Sequence, residues 1–150
     1  MSYNNIELTQ MTVSDLNQIS SNLIYEFDDF WNESTLKNEL KNEYSYYIVA
    51  KSTIDSEIVG FAGLKIVLDN ADIMNIVTKK SKRNLGIAQL MLQELINISK
   101  EKNVKTITLE VNYKNKPAIH LYEKFNFKQI AIRKNYYSNT DDAIIMQLMF

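Results

Sequence analysis

A strand that ends in a basic, glycine-containing loop and passes straight into a helix occupies the middle of this chain, and it constrains the fold more than any other feature. Ile73-Met-Asn-Ile-Val77 carries strand-forming residues, whereas Leu85, Leu90, Leu92, Leu95, Ile96 and Ile98 return at roughly helical spacing. Between them lies Arg83-Asn-Leu-Gly-Ile-Ala88, an R-x-x-G-x-A loop. The first amides of a helix have no intrahelical acceptor, and the helix dipole adds partial positive charge there, so such a junction suits a phosphate or pyrophosphate. Gly86 lacks the Cβ that would keep a bulky anion away from the backbone. Lys79, Lys80, Lys82 and Arg83 lead into it, four cations in five positions, and would raise the local concentration of a polyanion. Spacing alone leaves a second reading open, a solvated basic turn ahead of a surface helix.

Around this junction the 150 residues read as a mixed α/β domain. Residues 6–9 form a first strand, and Thr12-Val-Ser-Asp15 makes a capping box that opens a helix with Leu16, Ile19, Leu23 and Ile24 inward. A short second helix is predicted over residues 33–41. Residues 44–51 and 58–68 are β-rich and joined by a hairpin at Thr53-Ile-Asp-Ser-Glu57, and Asp69-Asn70 turns the chain into a strand at 73–78. After the helix at 85–101 come a strand at 105–111 and a helix at 116–125. Pro117 sits in that helix's first turn, where a missing N–H costs nothing. Residues 127–134 and 143–149 close the chain as a hairpin around Ser138-Asn-Thr-Asp141. Strands first, and strand–helix alternation later, predict a mixed sheet with helices on both faces. No linker rich in proline, glycine or serine and no repeat interrupts the sequence, so a single domain over residues 1–150 is expected.

Composition removes several classes of function. Seventeen basic against eighteen acidic side chains, a net charge of -1, leave no broadly basic face for direct nucleic-acid binding. The absence of cysteine excludes disulfides, thiolate catalysis and cysteine metal sites, and a single histidine excludes a histidine-rich metal centre. No stretch is apolar enough to span a membrane and no basic flank with an apolar core opens the chain, so a cytoplasmic protein without a membrane partner is expected.

Thr106-Ile-Thr-Leu-Glu110-Val-Asn112 alternates β-branched or apolar residues with polar ones and leads into Asn115-Lys-Pro-Ala-Ile-His-Leu-Tyr-Glu-Lys-Phe-Asn-Phe127. Together with the R-x-x-G-x-A loop, this resembles the GCN5-related N-acetyltransferase (GNAT) superfamily. Arg133-Lys-Asn-Tyr-Tyr137 followed by Asp142-Ala-Ile-Ile-Met146 narrows the resemblance to the bacterial RimI group, which acetylates the N-terminal amine of a ribosomal protein. The likeness is most specific from residue 73 to residue 150. It implies a seven-stranded mixed sheet flanked by about four helices and splayed between the fourth and fifth strands. It also implies acetyl-CoA as co-substrate, no metal, and the N-terminal segment of a ribosomal protein as partner. Backbone groups of Ile76, Val77 and Thr78 would hold the pantetheine arm in the splay, and Arg83, Asn84, Leu85, Gly86, Ile87, Ala88 and Gln89 the diphosphate. Asn115 matches an asparagine that hydrogen-bonds the cofactor, although ahead of Pro117 it reads equally as a helix cap.

Acetylating an amine at neutral pH requires removal of a proton from an ammonium whose pKa is about 8. Glu110 lies on the opposite face of its strand from Leu109 and Val111. The resemblance makes it the general base, acting directly or through water. A glutamate titrates near 4.3 in water, so partial burial is expected to raise it; the alternative is a glutamate at the sheet rim in a salt bridge. Tyr122 matches the family's general acid, which protonates the departing thiol of coenzyme A, and a phenol stays protonated up to about pH 10. As one of nine tyrosines it could instead fill the core. The amides near Ile76 and Val77 are the candidate donors to the carbonyl oxygen, in a direct transfer within a ternary complex. His120, two residues before Tyr122, points to another side of the helix and reads as a surface or packing residue.

The pairs Phe30-Trp31 and Tyr136-Tyr137 either clamp a short peptide end or cap an edge of the core, and Asp28 and Asp29 either attract a cationic peptide or are merely solvated. Arg83 stands where many relatives have glutamine, Ala88 replaces a glycine, and Asn126 replaces another; asparagine tolerates left-handed backbone angles well enough to keep that turn. Two rival functions share most of these features: acetylation of a lysine side chain, polyamine or other small amine, and a non-catalytic acyl-CoA-sensing module. A nucleotide-binding P-loop is excluded, since neither of its glycine patterns occurs.

Overall fold

The computed structural model describes residues 5–23, 26–27, 33–137 and 140–150. Along them run β1 (Ile6–Gln10), α1 (Val13–Ile19), α2 (Glu33–Lys41), β2 (Ser45–Ser52), β3 (Ile58–Val67), β4 (Asn70–Thr78), α3 (Ile87–Glu101), β5 (Thr106–Asn112), α4 (Lys116–Lys124), β6 (Lys128–Arg133) and β7 (Ala143–Met149). The strands form one seven-stranded sheet in the order β1-β2-β3-β4-β5-β7-β6. β4 and β5 are parallel, whereas β1–β2, β2–β3, β5–β7 and β6–β7 are antiparallel. The parallel register covers only Asn70, Ala71 and Asp72 opposite Thr106, Ile107 and Thr108, consistent with the splay that the resemblance implies. Among the described residues no helix is long and apolar enough to cross a membrane. The chain gathers into two compact units, residues 1–65 with 74–98, and residues 66–73 with 99–150.

In the first unit the predicted capping box fixes the start of α1. Asp15 N–H donates to Thr12 Oγ1 (3.1 Å) and Thr12 N–H donates to Asp15 Oδ2 (2.9 Å), which satisfies two of the helix's orphan donors. Asp15 is buried and also meets Lys51 Nζ at 2.8 Å. Burial works against its charge, but the bonds from Lys51 and Thr12 outweigh it and hold the carboxyl below the ordinary carboxylate range. α1 turns Leu16 and Ile19 into a core shared with Met11, Leu23, Phe27, Leu36, Tyr47, Val49, Ile58 and Phe61. Ile24, expected beside them, lies outside the described residues. On α3, Ile87, Met91, Leu92 and Leu95 are buried at the four-, five- and eight-residue spacings of one helical face. Gly60 on β3 permits a close approach: a Cβ there would stand 2.9 Å from Met91 Cε and 2.9 Å from the Val77 carbonyl oxygen.

In the second unit β5 alternates as predicted, with Ile107, Leu109 and Val111 buried and Glu110 exposed. β7 buries Ala143, Ile145, Met146 and Leu148. Tyr122 from α4 packs on Phe127, their rings 5.8 Å apart and tilted. Asn126 bridges them at φ 71°, the left-handed turn expected where relatives have glycine, and Phe125 and Phe127 both donate their N–H groups to the Tyr122 carbonyl at 3.0 Å. The start of β4 differs from expectation. The turn before β4 falls on Leu68 (φ 58°) and Asp69, and Asn70 is already strand. Asn70 pairs with Thr106 in the parallel register, and its Oδ1 accepts from the Thr106 hydroxyl at 2.5 Å, so a cross-strand partner overrides its local preference for turns.

Candidate functional site

The loop from β4 to α3 is built by backbone hydrogen bonds. Lys79 N–H donates to the Val59 carbonyl (2.8 Å), Lys80 N–H to that of Glu26 (2.7 Å), and Lys82 N–H to that of Lys79 (2.8 Å), which closes a single 3-10 turn over Lys80–Lys82. Arg83 is extended. Asn84 and Gly86 follow at φ 64° and 84°, left-handed conformations that glycine adopts freely and asparagine with little strain. These angles explain why the helix begins at Ile87 and not at Leu85, where the apolar periodicity starts. Leu90 N–H donates to the Gly86 carbonyl (3.1 Å), closing the first turn of α3. The first turn of α3 carries no acidic side chain, so nothing there opposes an anion at the positive end of the helix dipole. Left-handed residues beside a helix start gather N–H groups into a concavity that suits an anion. At the end of β4, the Thr78 hydroxyl is buried and finds no hydrogen-bond partner among the described residues.

The basic cluster is less free than its sequence suggests. Lys79 Nζ lies 2.6 Å from Glu57 Oε1 and 3.5 Å from Glu26 Oε2, and Lys82 Nζ lies 3.9 Å from Glu57 Oε2. The hydrogen bond it donates to Glu57 holds the Lys79 ammonium above its ordinary pKa. Two of the four cations are therefore tied to one carboxylate on the β2–β3 hairpin, while Lys80 and Arg83 remain exposed. No spacing in the sequence announces Glu57. It meets Lys79 because β3 and β4 are neighbours, as the Lys79-to-Val59 bond records.

In the second unit, Glu110 projects from the exposed face of β5 and pairs with Arg133, Nη1 to Oε1 3.1 Å. This is the salt bridge that one reading of the sequence allowed. The Tyr136 hydroxyl donates to the same carboxylate, which pushes that phenol's pKa up. The Arg133 guanidinium carbon lies 5.4 Å from the centre of the Tyr136 ring, and Tyr136 meets Tyr137 edge-on at 5.2 Å. Arg133 could not be assigned to Glu110 from sequence, because β7 intervenes: Ile145 stands opposite Glu110 on one side and Ala131 on the other.

The turn that carries the tyrosines is pinned to the end of β5. Tyr137 N–H donates to the Asp141 carbonyl (3.1 Å) and Thr140 N–H to that of Tyr137 (2.8 Å). The buried Asp141 carboxylate accepts from Asn112 Nδ2 at 3.0 Å and pairs with Lys114 Nζ at 3.0 Å. Tyr122 is buried at 6% exposure, and desolvation, with a smaller contribution from Tyr137, lifts its phenol well above the usual tyrosine range. Burial likewise raises Tyr137, with Glu110 and Tyr136 adding to the effect. This unit therefore presents a carboxylate on the exposed face of β5 and a buried phenol that burial holds in its neutral form.

Asn115 caps α4, its Oδ1 accepting from Ala118 N–H at 3.3 Å, as the alternative reading had it. His120 is exposed. Phe30 and Trp31, with Asp28 and Asp29, lie outside the described residues.

Comparison with known proteins agrees with this architecture. The profile of the family described as Acetyltransferase (GNAT) family matches residues 11–127. The ribosomal protein bS18-alanine N-acetyltransferase of Escherichia coli (strain K12) is 36% identical over 121 residues, 79% of this chain and 80% of that protein. The protein of the same name from Haemophilus influenzae is 38% identical over 120 residues, 77% and 80% of the two chains. The crystal structure of the ribosomal-protein-S18-alanine N-acetyltransferase from Escherichia coli superposes with a TM-score of 0.86 at 28% identity, covering 96% of this chain and 93% of that one. On the strength of a family profile that spans most of its length, and of relatives above 30% identity across more than two thirds of it, the chain belongs to the acetyltransferase (GNAT) family.

Proposed function

We propose that this protein is an N-acetyltransferase that moves the acetyl group of acetyl-CoA to the N-terminal α-amine of a protein, with a ribosomal protein of the small subunit as the acceptor. The observation that carries the reading is that one compact unit holds both the Glu110 carboxylate, beside Tyr136, and the buried Tyr122, whose phenol burial raises. The names of the Escherichia coli and Haemophilus influenzae relatives support the choice of acceptor.

The residues at the β4–α3 junction fit acetyl-CoA. Left-handed Asn84 and Gly86, a first turn free of carboxylates and the exposed Arg83 favour a diphosphate, to be held by Arg83, Asn84, Leu85, Gly86, Ile87, Ala88 and Gln89. Ile76, Val77 and Thr78 lie beyond the last paired position of β4 with β5 and would hold the pantetheine arm. Thr78 adds a buried hydroxyl that has no partner among the described residues, as a ligand-facing group does. Asn115 would contribute only insofar as its capping role allows. Acetyl-CoA supplies a thioester, an acyl group already activated toward amines.

The protein's own part is proton handling and positioning. Glu110, directly or through water, takes a proton from the acceptor's ammonium so that the neutral amine can attack. Tyr122, with its phenol raised by burial, keeps its proton at neutral pH and delivers it to the departing sulfur. Amides of Ile76 and Val77 stabilise charge on the carbonyl oxygen. Tyr136 and Tyr137, with Phe30 and Trp31, would receive the peptide end. The same proposal includes a single domain over residues 1–150 acting in the cytoplasm without a metal.

A panel assay of thiol release tests it. Purified protein with acetyl-CoA is offered a ribosomal N-terminal peptide, the same peptide blocked at its N-terminus but carrying a lysine, and spermidine. Release with the free N-terminus alone is expected. Equal turnover of the blocked peptide or the polyamine overturns the acceptor assignment, and cofactor binding with no release from any amine makes the protein a sensing module.

A further inference from the structure

Glu110 already holds a cation. Arg133 approaches its Oε1 at 3.1 Å while lying 5.4 Å from the centre of the Tyr136 ring, and the Tyr136 hydroxyl donates to the same carboxylate. A carboxylate on one side and an aromatic face on the other make a small box for a positive charge, and an alkylammonium satisfies both walls as a guanidinium does. The neighbouring cations of this region have other partners: Lys114 is bound to Asp141 and Lys134 to Asp142. Arg133 is 57% exposed and Glu110 29%, so the guanidinium can leave without uncovering a buried charge.

We propose that Arg133 is an internal stand-in for the acceptor's ammonium, occupying the box of Glu110 and Tyr136 in the free protein and giving it up to the incoming amine. The inference rests on Glu110 being the base. Release needs only rotation of the long arginine side chain into water; no proton moves and no bond breaks. Its consequence is a threshold. Every acceptor has to compete with a cation that is tethered to the site, so each acceptor KM is raised by the same factor, and only an amine whose other contacts bring its KM below its working concentration is turned over well. Arg133 thus acts against acceptor binding, and its removal should lower the KM of weak and strong acceptors alike.

The test is Arg133→Gln in the full chain, with Arg133→Lys as the conservative companion. The expected result is an acceptor KM lowered about two- to five-fold, the span open to an exposed ion pair, with kcat and the KM for acetyl-CoA within about two-fold of wild type. Arg133→Lys should stay near wild type. Methylguanidinium should compete with the acceptor more strongly in Arg133→Gln than in wild type, because it refills the emptied box. An NMR titration gives a readout free of turnover: methylguanidinium should shift the side-chain resonances of Glu110 and Tyr136 in Arg133→Gln, and in wild type only at about two- to five-fold higher concentration. A lower kcat with unchanged acceptor KM would make Arg133 a positioning residue for the base and overturn the proposal. A higher acceptor KM would make it a contact for the acceptor, and unchanged kinetics without NMR shifts would leave a surface ion pair; both sink it. Should wild-type protein acetylate no amine at all, the functional reading fails, while the titration still decides whether the box takes a free cation.

Discussion

Replacing Gly60 with alanine probes how tightly the start of α3 is set against the strands beneath it. The new Cβ would lie 2.9 Å from Met91 Cε, 3.2 Å from Met91 Sδ and 2.9 Å from the Val77 carbonyl oxygen. The two Met91 atoms end a flexible side chain, although one that is fully buried. The Val77 oxygen is backbone and can yield only if β4 shifts. Gly60 has no positive φ, so alanine fits the local conformation and stabilises the folded state by about 0.4–1 kcal/mol through the unfolded chain. Overpacking acts in the opposite direction at about 1–3 kcal/mol and is larger. The net loss is therefore about 1–2 kcal/mol, or roughly 2–8 °C in Tm for a chain of this size. Thermal melting measures it, and titration calorimetry with acetyl-CoA should show weaker binding, since Val77 belongs to the segment proposed to hold the pantetheine arm. Repeating the change in a Met91→Leu background removes the Cε contact and leaves the carbonyl contact, so at least half of the loss should persist. A Gly60→Ala protein that melts at or above wild type with unchanged affinity refutes the reasoning, and full recovery in the Met91→Leu background refutes the part assigned to Val77.

The remaining predictions concern the carboxylate and the phenol. Tyr122→Phe should lower kcat by about 10²–10⁴-fold at unchanged acetyl-CoA affinity, and Glu110→Gln should do the same while flattening the acid limb of the pH–rate profile; an equal loss of cofactor binding in both would remove their proposed roles. Because burial raises the Tyr122 phenol above its ordinary value of 10, folding favours its neutral form. That contribution is whole below pH 10 and is lost as the pH climbs from there toward the folded value, so wild type should lose stability faster than Tyr122→Phe between about pH 10 and 12. Parallel denaturation midpoints across that interval would contradict it.

What was legible in the sequence is what neighbours along the chain decide. The Thr12–Asp15 box, the alternation that exposes Glu110, the cap at Asn115 ahead of Pro117 and the left-handed Asn126 each depend on a few consecutive residues, and each is found as read. What was not legible depends on strand order. Glu57 neutralises part of the basic cluster, and Arg133 occupies Glu110, because strands far apart in sequence are adjacent or separated by one strand in the sheet. Asn70 left its predicted turn for the same reason, once Thr106 offered a partner. Its motif position distinguishes Tyr122 among nine tyrosines, while its burial follows from the ring of Phe127 and so from the return of the chain after α4.

The Thr78 hydroxyl carries a cost that a purely structural residue would avoid. A buried hydroxyl with no partner among the described residues costs about 1–3 kcal/mol, and a valine of nearly the same shape would avoid it. A ligand that offers that oxygen a hydrogen bond removes the cost. Thr78→Val should accordingly melt higher than wild type in plain buffer, with the two melting curves converging or crossing as acetyl-CoA is added.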